Sequence, residues 1–342
     1  MFNTIQAVMR GLRPGQAQTV GNMTVIPLLS DITDDTIASP EVLELETRDY
    51  GTIVAFNTGT DSESGLTFSP LGNVVLTSRA AQNHVAPSIR IVKKGKKTVI
   101  KNAACVQETQ GGLVKKGRYR IMLLPLALRE DAINTRKVRS YDKLWGAIRV
   151  FNKSMGLNGI GHLEYFLARF QKEMDEFIAQ FEIVPQQVGA IILIDGAVVG
   201  IERFPNYNFF KKMWEPLIRE CYGSESIRVA REKGLRIPAD RVPLETRGVK
   251  SLPDIRASLL KAKVAEEKKI KRIVNGFIKA KFDVEVEEKT GGFTVETLSN
   301  PEFKGQSVRK KKIPLMFSFV KTGDWVTDPN HARFAASDEF RM

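Results

Sequence analysis

The chain has 342 residues, 42% of them hydrophobic and 27% charged, and a formal net charge of +13. That length and composition allow a sizeable core in one large domain or two moderate ones, and they exclude a broadly disordered chain. No apolar run reaches the ~18 residues of a membrane-crossing helix. The start of the sequence also lacks a basic stretch, an apolar core and a small-residue cleavage site, so it reads as cytoplasmic, with no membrane partner.

In chain order, residues 1–17 read as a flexible arm, broken by Gly11, Pro14 and Gly15. Residues 18–322 read as a single α+β domain. Its strand-rich part, 18–128, begins with Thr19 to Leu29. Short strands follow at Thr52–Phe56, Val74–Thr77, Ser88–Val92, Lys97–Val106 and Tyr119–Leu124, with turn signals at Gly59, Pro70–Gly72 and Gly111–Gly112. Many short strands predict a sandwich or a curled antiparallel sheet. The part 129–222 carries helices and a hairpin. Asp142–Met155 is helical, with Leu144, Trp145, Ile148, Val150 and Phe151 apolar. His162–Phe181 places Phe166, Phe170, Met174, Phe177 and Phe181 on one face of a helix that should dock on a sheet. Ala190–Ile194 and Ala197–Ile201 flank Asp195-Gly196, a tight hairpin signal. Asn208–Tyr222 is an amphipathic helix that Pro216 kinks or breaks. In the part 223–322, residues 223–252 look irregular and Pro253–Ala280 is helical. Phe282–Glu287, Phe293–Leu298 and Ile313–Val320 are closing strands, and 323–342 form a polar tail.

Catalytic signatures are sparse. The sequence has no glycine-rich phosphate loop and no Gly-x-Ser-x-Gly elbow. Two cysteines, Cys105 and Cys221, and three histidines supply no zinc spacing, so neither a metal nor a cofactor is expected, and the thiols read as free and buried. His84, Asn102 and Cys105 are the residue types of thiol enzymes, with nothing in the sequence to bring them together. The carboxylates Asp34-Asp35 and Glu285–Glu288 are weak acid–base candidates.

Charge is the stronger signal. Residues 79–149 hold 17 Lys and Arg against 4 acidic residues, an excess equal to the net charge of the whole chain. Such a stretch suits an anionic partner, or else a solvated face. Within it, Arg90 and Lys93, Lys94, Lys96 and Lys97 surround a Lys-Gly-Lys turn joining two strands, where flexible ammonium groups can follow phosphates. Lys115, Lys116, Arg118 and Arg120 form a second cluster around Tyr119, which either stacks on a base or packs in its strand. A third, Arg309–Lys312, extends the basic surface or guards an edge strand. Arg79 and the Gln82-Asn83 pair form a candidate ligand site, since amides hydrogen-bond base edges and Arg grips phosphate; alternatively the pair caps a turn.

The segments Val20–Leu29, Gln82-Asn83, Cys105-Val106, Val188–Ile201, Phe204, Trp214-x-x-Leu217-Ile-Arg219 and Leu315–Phe319 together resemble the ARG and Rhodanese-Phosphatase-superfamily-associated domain family, over most of residues 18–320. The resemblance implies a link to ADP-ribose and RNA-repair or conflict systems, and no established reaction. The family's polar signature places an acidic residue in a strand ahead of a lysine and a Gln-Asn pair. Here Gln82-Asn83 remains, the lysine position is Ala81, and the acidic positions read Val75 and Leu76. That departure favours binding over catalysis. The leading expectation is a non-catalytic protein whose basic surface engages nucleic acid, RNA first. The alternatives are a structural subunit that meets protein partners or itself, and an enzyme or sensor for a nucleotide or ADP-ribose-like ligand.

Overall fold

The computed structural model describes residues 4–58, 66–69, 74–77, 81–234, 250–278 and 281–323. Its organising element is the hairpin that Asp195-Gly196 closes. Gln187–Ile194 pairs antiparallel with Ala197–Arg203. Asp195 (φ 52°) and Gly196 (φ 83°) both take the left-handed conformation that a two-residue turn requires. Met23–Leu29 adds to one side of the hairpin and Ile313–Lys321 to the other. Phe303–Lys310, Phe293–Ser299 and Asp283–Thr290 continue a nine-stranded antiparallel sheet, and Arg13–Pro14 and Gln18–Val20 both pair with Met23–Leu29.

Side-chain alternation splits this sheet between two cores. Ala190, Ile192 and Ile194 enter the larger core, with Phe204, Phe209, Phe210, Trp214 and Tyr222. Ile191 and Leu193 point to the other face, where Val8, Ile270, Phe282, Phe317 and Phe319 cover them. Three smaller sheets complete the β-structure of the described residues. One joins Leu43–Asp49, Thr52–Asn57 and Lys97–Ile100. A second joins Ile37–Ala38, Leu66–Ser69 and Arg90–Lys93. The third runs Ala104–Cys105, His84–Ala86, Val74–Thr77, Arg120–Leu123, and its Val75, Val85, Ala104 and Met122 meet Leu128, Ile148, Phe151, Phe166, Phe170 and Met174 in a third core. The architecture is α+β, with antiparallel sheets that stay open.

Several elements differ from expectation. The segment expected as a loose arm is stitched down from residue 4 onward: Val8 is buried, Arg13–Pro14 pair with Leu28–Leu29, and the buried Arg203 guanidinium donates to the Arg10 carbonyl (3.2 Å). Thr19–Leu29 is a hairpin rather than one strand, because Gly21 (φ 57°) turns the chain. The helix predicted over His162–Phe181 breaks at Phe170 into Glu164–Arg169 and Gln171–Ile178, yet its aromatic stripe is buried throughout. Val150, assigned to a core face, is 69% exposed. Pro216 ends the helix Tyr207–Glu215, and the chain continues as a π-helix, Pro216–Gly223, since proline offers no amide hydrogen to an α-helical ladder. Ser224–Glu232 is helical rather than irregular, and a closing strand, Phe303–Lys310, joins the three expected. The turn signals at Gly59 and Pro70–Gly72, much of the segment expected as irregular (235–249) and all but the first residue of the polar tail lie outside the described residues.

Candidate nucleic-acid interface

The three-stranded sheet Leu43–Asp49, Thr52–Asn57, Lys97–Ile100 positions both central basic clusters. The Lys93–Lys97 turn leads into one edge strand. It does not close a hairpin: Arg90–Lys93 and Lys97–Ile100 belong to different sheets. Buried Asn57 fixes it, accepting from Gly95 N–H through its carbonyl (3.0 Å) and donating its side-chain amide to the Val92 carbonyl (3.2 Å). Gly95 (φ 66°) has open space around it, and Lys93, Lys94, Lys96 and Lys97 are exposed. At the opposite edge, Thr47 N–H donates to the Val114 carbonyl (3.0 Å), and the following turn, closed by Arg118 N–H to Lys115 O (3.1 Å), displays Lys115, Lys116 and Arg118. In a sheet with ~4.8 Å strand spacing these edges lie about 10 Å apart.

Each edge carries a shallow recess. One, of about 510 Å³, is lined by Glu46, Thr47, Leu113, Lys115, Lys116 and Arg118. The other, of about 430 Å³, is lined by Arg90, Thr98–Asn102, Lys137, Arg139 and Glu288. At the turn between Leu43–Asp49 and Thr52–Asn57 stands a short run of aromatic rings. Tyr50 stacks on His84 (6.4 Å between centroids, 4° between planes) and meets Tyr141 at 5.6 Å, and Tyr141 meets Trp145 edge-on at 5.6 Å. Tyr50 is 47% exposed. The adjoining Gly51 backbone ties this run to the groove, since its carbonyl accepts from Ala103 N–H (2.9 Å) and its α-carbon faces the Arg139 carbonyl and Tyr141. Phe56, also partly exposed, lies in register between Lys97 and Glu44 on the outer face of the sheet.

The structure also divides the basic residues. Arg90 reaches Glu288 (3.7 Å), Lys116 pairs with Glu44 (2.5 Å) and Arg149 with Glu108. Arg136 holds Glu287 (2.8 Å) and Glu285, and Lys137 also takes Glu285. Thus the carboxylate run Glu285–Glu288 neutralises cations. It does not form an acid–base pair. Arg120 pairs with the buried Glu220, whose carboxyl burial pushes up to about 7 despite Arg120 and Arg219 beside it. Arg129 is wholly internal, bonded to Glu202 (2.8 Å). By contrast, Lys93, Lys96, Lys97, Lys101, Lys115, Arg118 and Arg139 are exposed, and among the described residues they have no carboxylate partner. Lys143, below the second groove, donates to the Asn102 and Val138 carbonyls (both 2.6 Å), and burial draws its ammonium down to about 8.

Other candidates take structural positions. The Tyr119 hydroxyl donates to the Leu43 carbonyl (2.9 Å) and accepts from Leu45 N–H (3.0 Å), pinning an edge strand, while its ring packs on the larger core. Arg309–Lys312 forms the turn of an internal hairpin, not an edge: Arg309 binds Glu296 (2.9 Å) and Lys310 binds Asp34 (2.9 Å). Arg79 lies outside the described residues. Gln82 and Asn83 are buried. Gln82 donates to the Gln107 carbonyl (2.9 Å), Asn83 N–H to the Gln107 side chain (2.6 Å), and the Asn83 amide reaches Glu164 (3.4 Å). His84 and Cys105 sit opposite each other on paired strands, but the imidazole donates from Nδ1 to the Gln82 carbonyl (2.8 Å) and accepts Gly51 N–H at Nε2 (3.2 Å), which keeps it neutral. Burial raises the Cys105 thiol to about 11, and Asn102 turns away to the Arg136 carbonyl. This set does not make a thiol nucleophile.

The sequence reading missed Lys101, Arg139, Tyr50, Phe56 and Tyr141. Tyr50-Gly51, a turn between two alternating strands, was the available signal for one of them.

The sequence model of the ARG and Rhodanese-Phosphatase-superfamily-associated Protein domain matches residues 11–299. The chain belongs to this family. The family's description records an association with the ARG and Rhodanese-Phosphatase superfamily. No curated protein matches the chain, and no solved structure does. Val75, Leu76 and Ala81, which the resemblance sets against charged positions, are all buried in apolar clusters. Among the described residues, no helix is long and apolar enough to cross a membrane.

Proposed function

We propose that this family member is a non-catalytic binding protein that engages single-stranded nucleic acid, RNA in the first instance, along the edge strand Lys97–Ile100. The reading is carried by one observation: exposed cations left without carboxylates among the described residues stand at both ends of this strand, Lys93, Lys96 and Lys97 at one end and Lys101 and Arg139 at the other, where Gly51, next to the exposed Tyr50, meets the Arg139 backbone. Ammonium and guanidinium groups track phosphates, and an exposed aromatic ring supplies a face on which a base stacks. Lys115 and Arg118 at the other edge offer a second contact. Of the residues first singled out, Arg90, Lys116 and Arg120 then act with part of their charge already neutralised, and Tyr119 acts by holding the strand.

The test is fluorescence anisotropy of a labelled single-stranded RNA across a salt series. If Lys93, Lys96, Lys97, Lys101 and Arg139 each neutralise one phosphate, log affinity falls with log salt at a slope of about −3.5, roughly a hundredfold loss between ~50 and ~200 mM. Changing Lys101 and Arg139 to Glu should lower the affinity and flatten the slope by about 1.4. Affinity that ignores salt, or survives that double change, refutes the reading.

The subunit reading draws support from the family's recorded association and from the long helix Leu252–Ile278, whose first half leaves apolar side chains exposed. A nucleotide or ADP-ribose site at Gln82-Asn83 is less favoured, because both side chains are buried and their amide nitrogens already donate to the Gln107 carbonyl and to Glu164.

A further inference from the structure

The helix Leu252–Ile278 begins at a side-chain cap, Ser251. Ser251 Oγ donates to Asp254 (2.7 Å), and Asp254 N–H returns a bond to Ser251 Oγ (3.4 Å). At about 1.5 Å per residue it extends roughly 40 Å. At helical spacing, Leu252, Ile255 and Leu259 fall on the same side as Ile270 and Ile273. The two halves of this stripe meet different fates. Ile270 is buried against the sheet, and Ile273 packs beside it. Leu252 is 72% and Leu259 50% exposed, and Ile255 is also exposed; Leu260 and Val264 are exposed as well but on another side of the helix. Apolar residues that continue a docked face beyond the core form a surface built for a second element.

Charge selects that element. In a heptad frame that places Leu252 and Leu259 at one seam position and Ile255 at the other, the flanking positions hold Arg256 and Lys263 on one side and Ser258 and Ala265 on the other. Both cations are exposed and without a carboxylate partner among the described residues. An antiparallel second copy would bring Arg256 against Lys263, adding repulsion to that of two chains of charge +13 each.

We infer that the face formed by Leu252, Ile255 and Leu259, with Arg256 and Lys263 beside it, is a docking site for an amphipathic helix from another polypeptide, one that carries acidic residues beside its apolar stripe. The apolar residues supply affinity, and the two cations select the partner. The inference is independent of nucleic-acid binding.

Two labelled 21-residue peptides with one Leu/Ile stripe, flanked by Glu in the first and by Lys in the second, test it by anisotropy against the full chain. Two facing pairs that change from attractive to repulsive make the acidic peptide bind about tenfold tighter. The basic grooves also attract an acidic peptide, so the deciding variant is Leu252→Ser with Leu259→Ser, which keeps every charge and should abolish binding. The exposed positions let that variant fold. Arg256→Glu with Lys263→Glu should reverse the preference. Equal affinity for the two peptides, or acidic-peptide binding that survives the serine variant, overturns the inference. So does a dimer in sedimentation velocity, or adsorption to phosphatidylserine vesicles, that the serine variant abolishes, since either assigns the face to a second copy or to lipid.

Discussion

Arg129 and Glu202 form an ion pair with both side chains fully buried, and it sets a sharp stability prediction. One carboxylate oxygen, Oε1, accepts from Arg129 (2.8 Å), the Tyr222 hydroxyl (2.6 Å) and the Ser318 hydroxyl (3.1 Å); the other oxygen and Arg129 Nε have no partner. The pair is therefore incompletely satisfied, and its Coulomb gain only offsets its desolvation. Removing one member leaves a bare charge in the core. Arg129→Met or Glu202→Leu alone should each cost about 3–5 kcal/mol, with Arg129→Met at the lower end because two hydroxyl donors still serve Glu202. The double variant should recover most of that loss and sit within about 1–2 kcal/mol of the parent, a strongly non-additive result. Urea denaturation followed by tryptophan fluorescence reads all four states from their midpoints. Single losses below about 1 kcal/mol, or a double loss equal to the sum of the singles, would refute the reasoning.

Tyr119→Phe should cost about 1–2 kcal/mol of stability by leaving two backbone groups unbonded, without weakening RNA affinity, whereas Tyr50→Ala should cost about 1–3 kcal/mol of binding and little stability; anisotropy and denaturation on both variants check the pair. Burial raises Cys105 to about 11 and Cys221 to about 12, so neither thiol should react appreciably with Ellman's reagent in the native protein at pH 8, and both should react in urea. Glu220 has its folded value raised to about 7 against an ordinary 4.5, so the native state binds the extra proton and the contribution of Glu220 to stability falls as pH rises through that window. Denaturation midpoints of Glu220→Gln relative to the parent should accordingly shift in the variant's favour between pH 4.5 and 7.5, and a shift the other way would count against the burial argument.

Features set by nearest neighbours in sequence were legible. Asp195-Gly196 gave its turn, and the Phe166–Phe181 stripe gave a buried face even though the helix breaks, because a break at Phe170 leaves the side chains on one side. Features that depend on distant partners were not legible. The strand Phe303–Lys310 reads as polar, Phe-Lys-Gly-Gln-Ser-Val-Arg-Lys, but Gln306 is buried because Ile89 N–H (2.9 Å) and Thr297 (3.1 Å) satisfy its amide. The helix Ser224–Glu232 carries no start signal, since it grows out of the π-helix before it, and Ser226 is spent on Asn22.

The same distinction governs the candidate site. Counting charges along the chain located the basic excess in residues 79–149, but a count weights every cation alike. Arg136 and Lys137 answer to Glu285 and Glu287, about 150 residues away, and Arg129 to Glu202. What reaches solvent is therefore a selection made by the fold: at the tight turns, where Gly95 and Gly117 leave room, Lys93, Lys96, Lys97, Lys115 and Arg118 stay exposed with no carboxylate partner among the described residues, while Lys116 is taken by Glu44. Tyr50, Tyr141 and Arg139 come near this edge through Gly51, whose carbonyl accepts from Ala103 N–H and whose α-carbon faces Tyr141 and the Arg139 carbonyl. A binding site of this kind has no contiguous motif, and its decisive residues are the charges that the rest of the protein has not used.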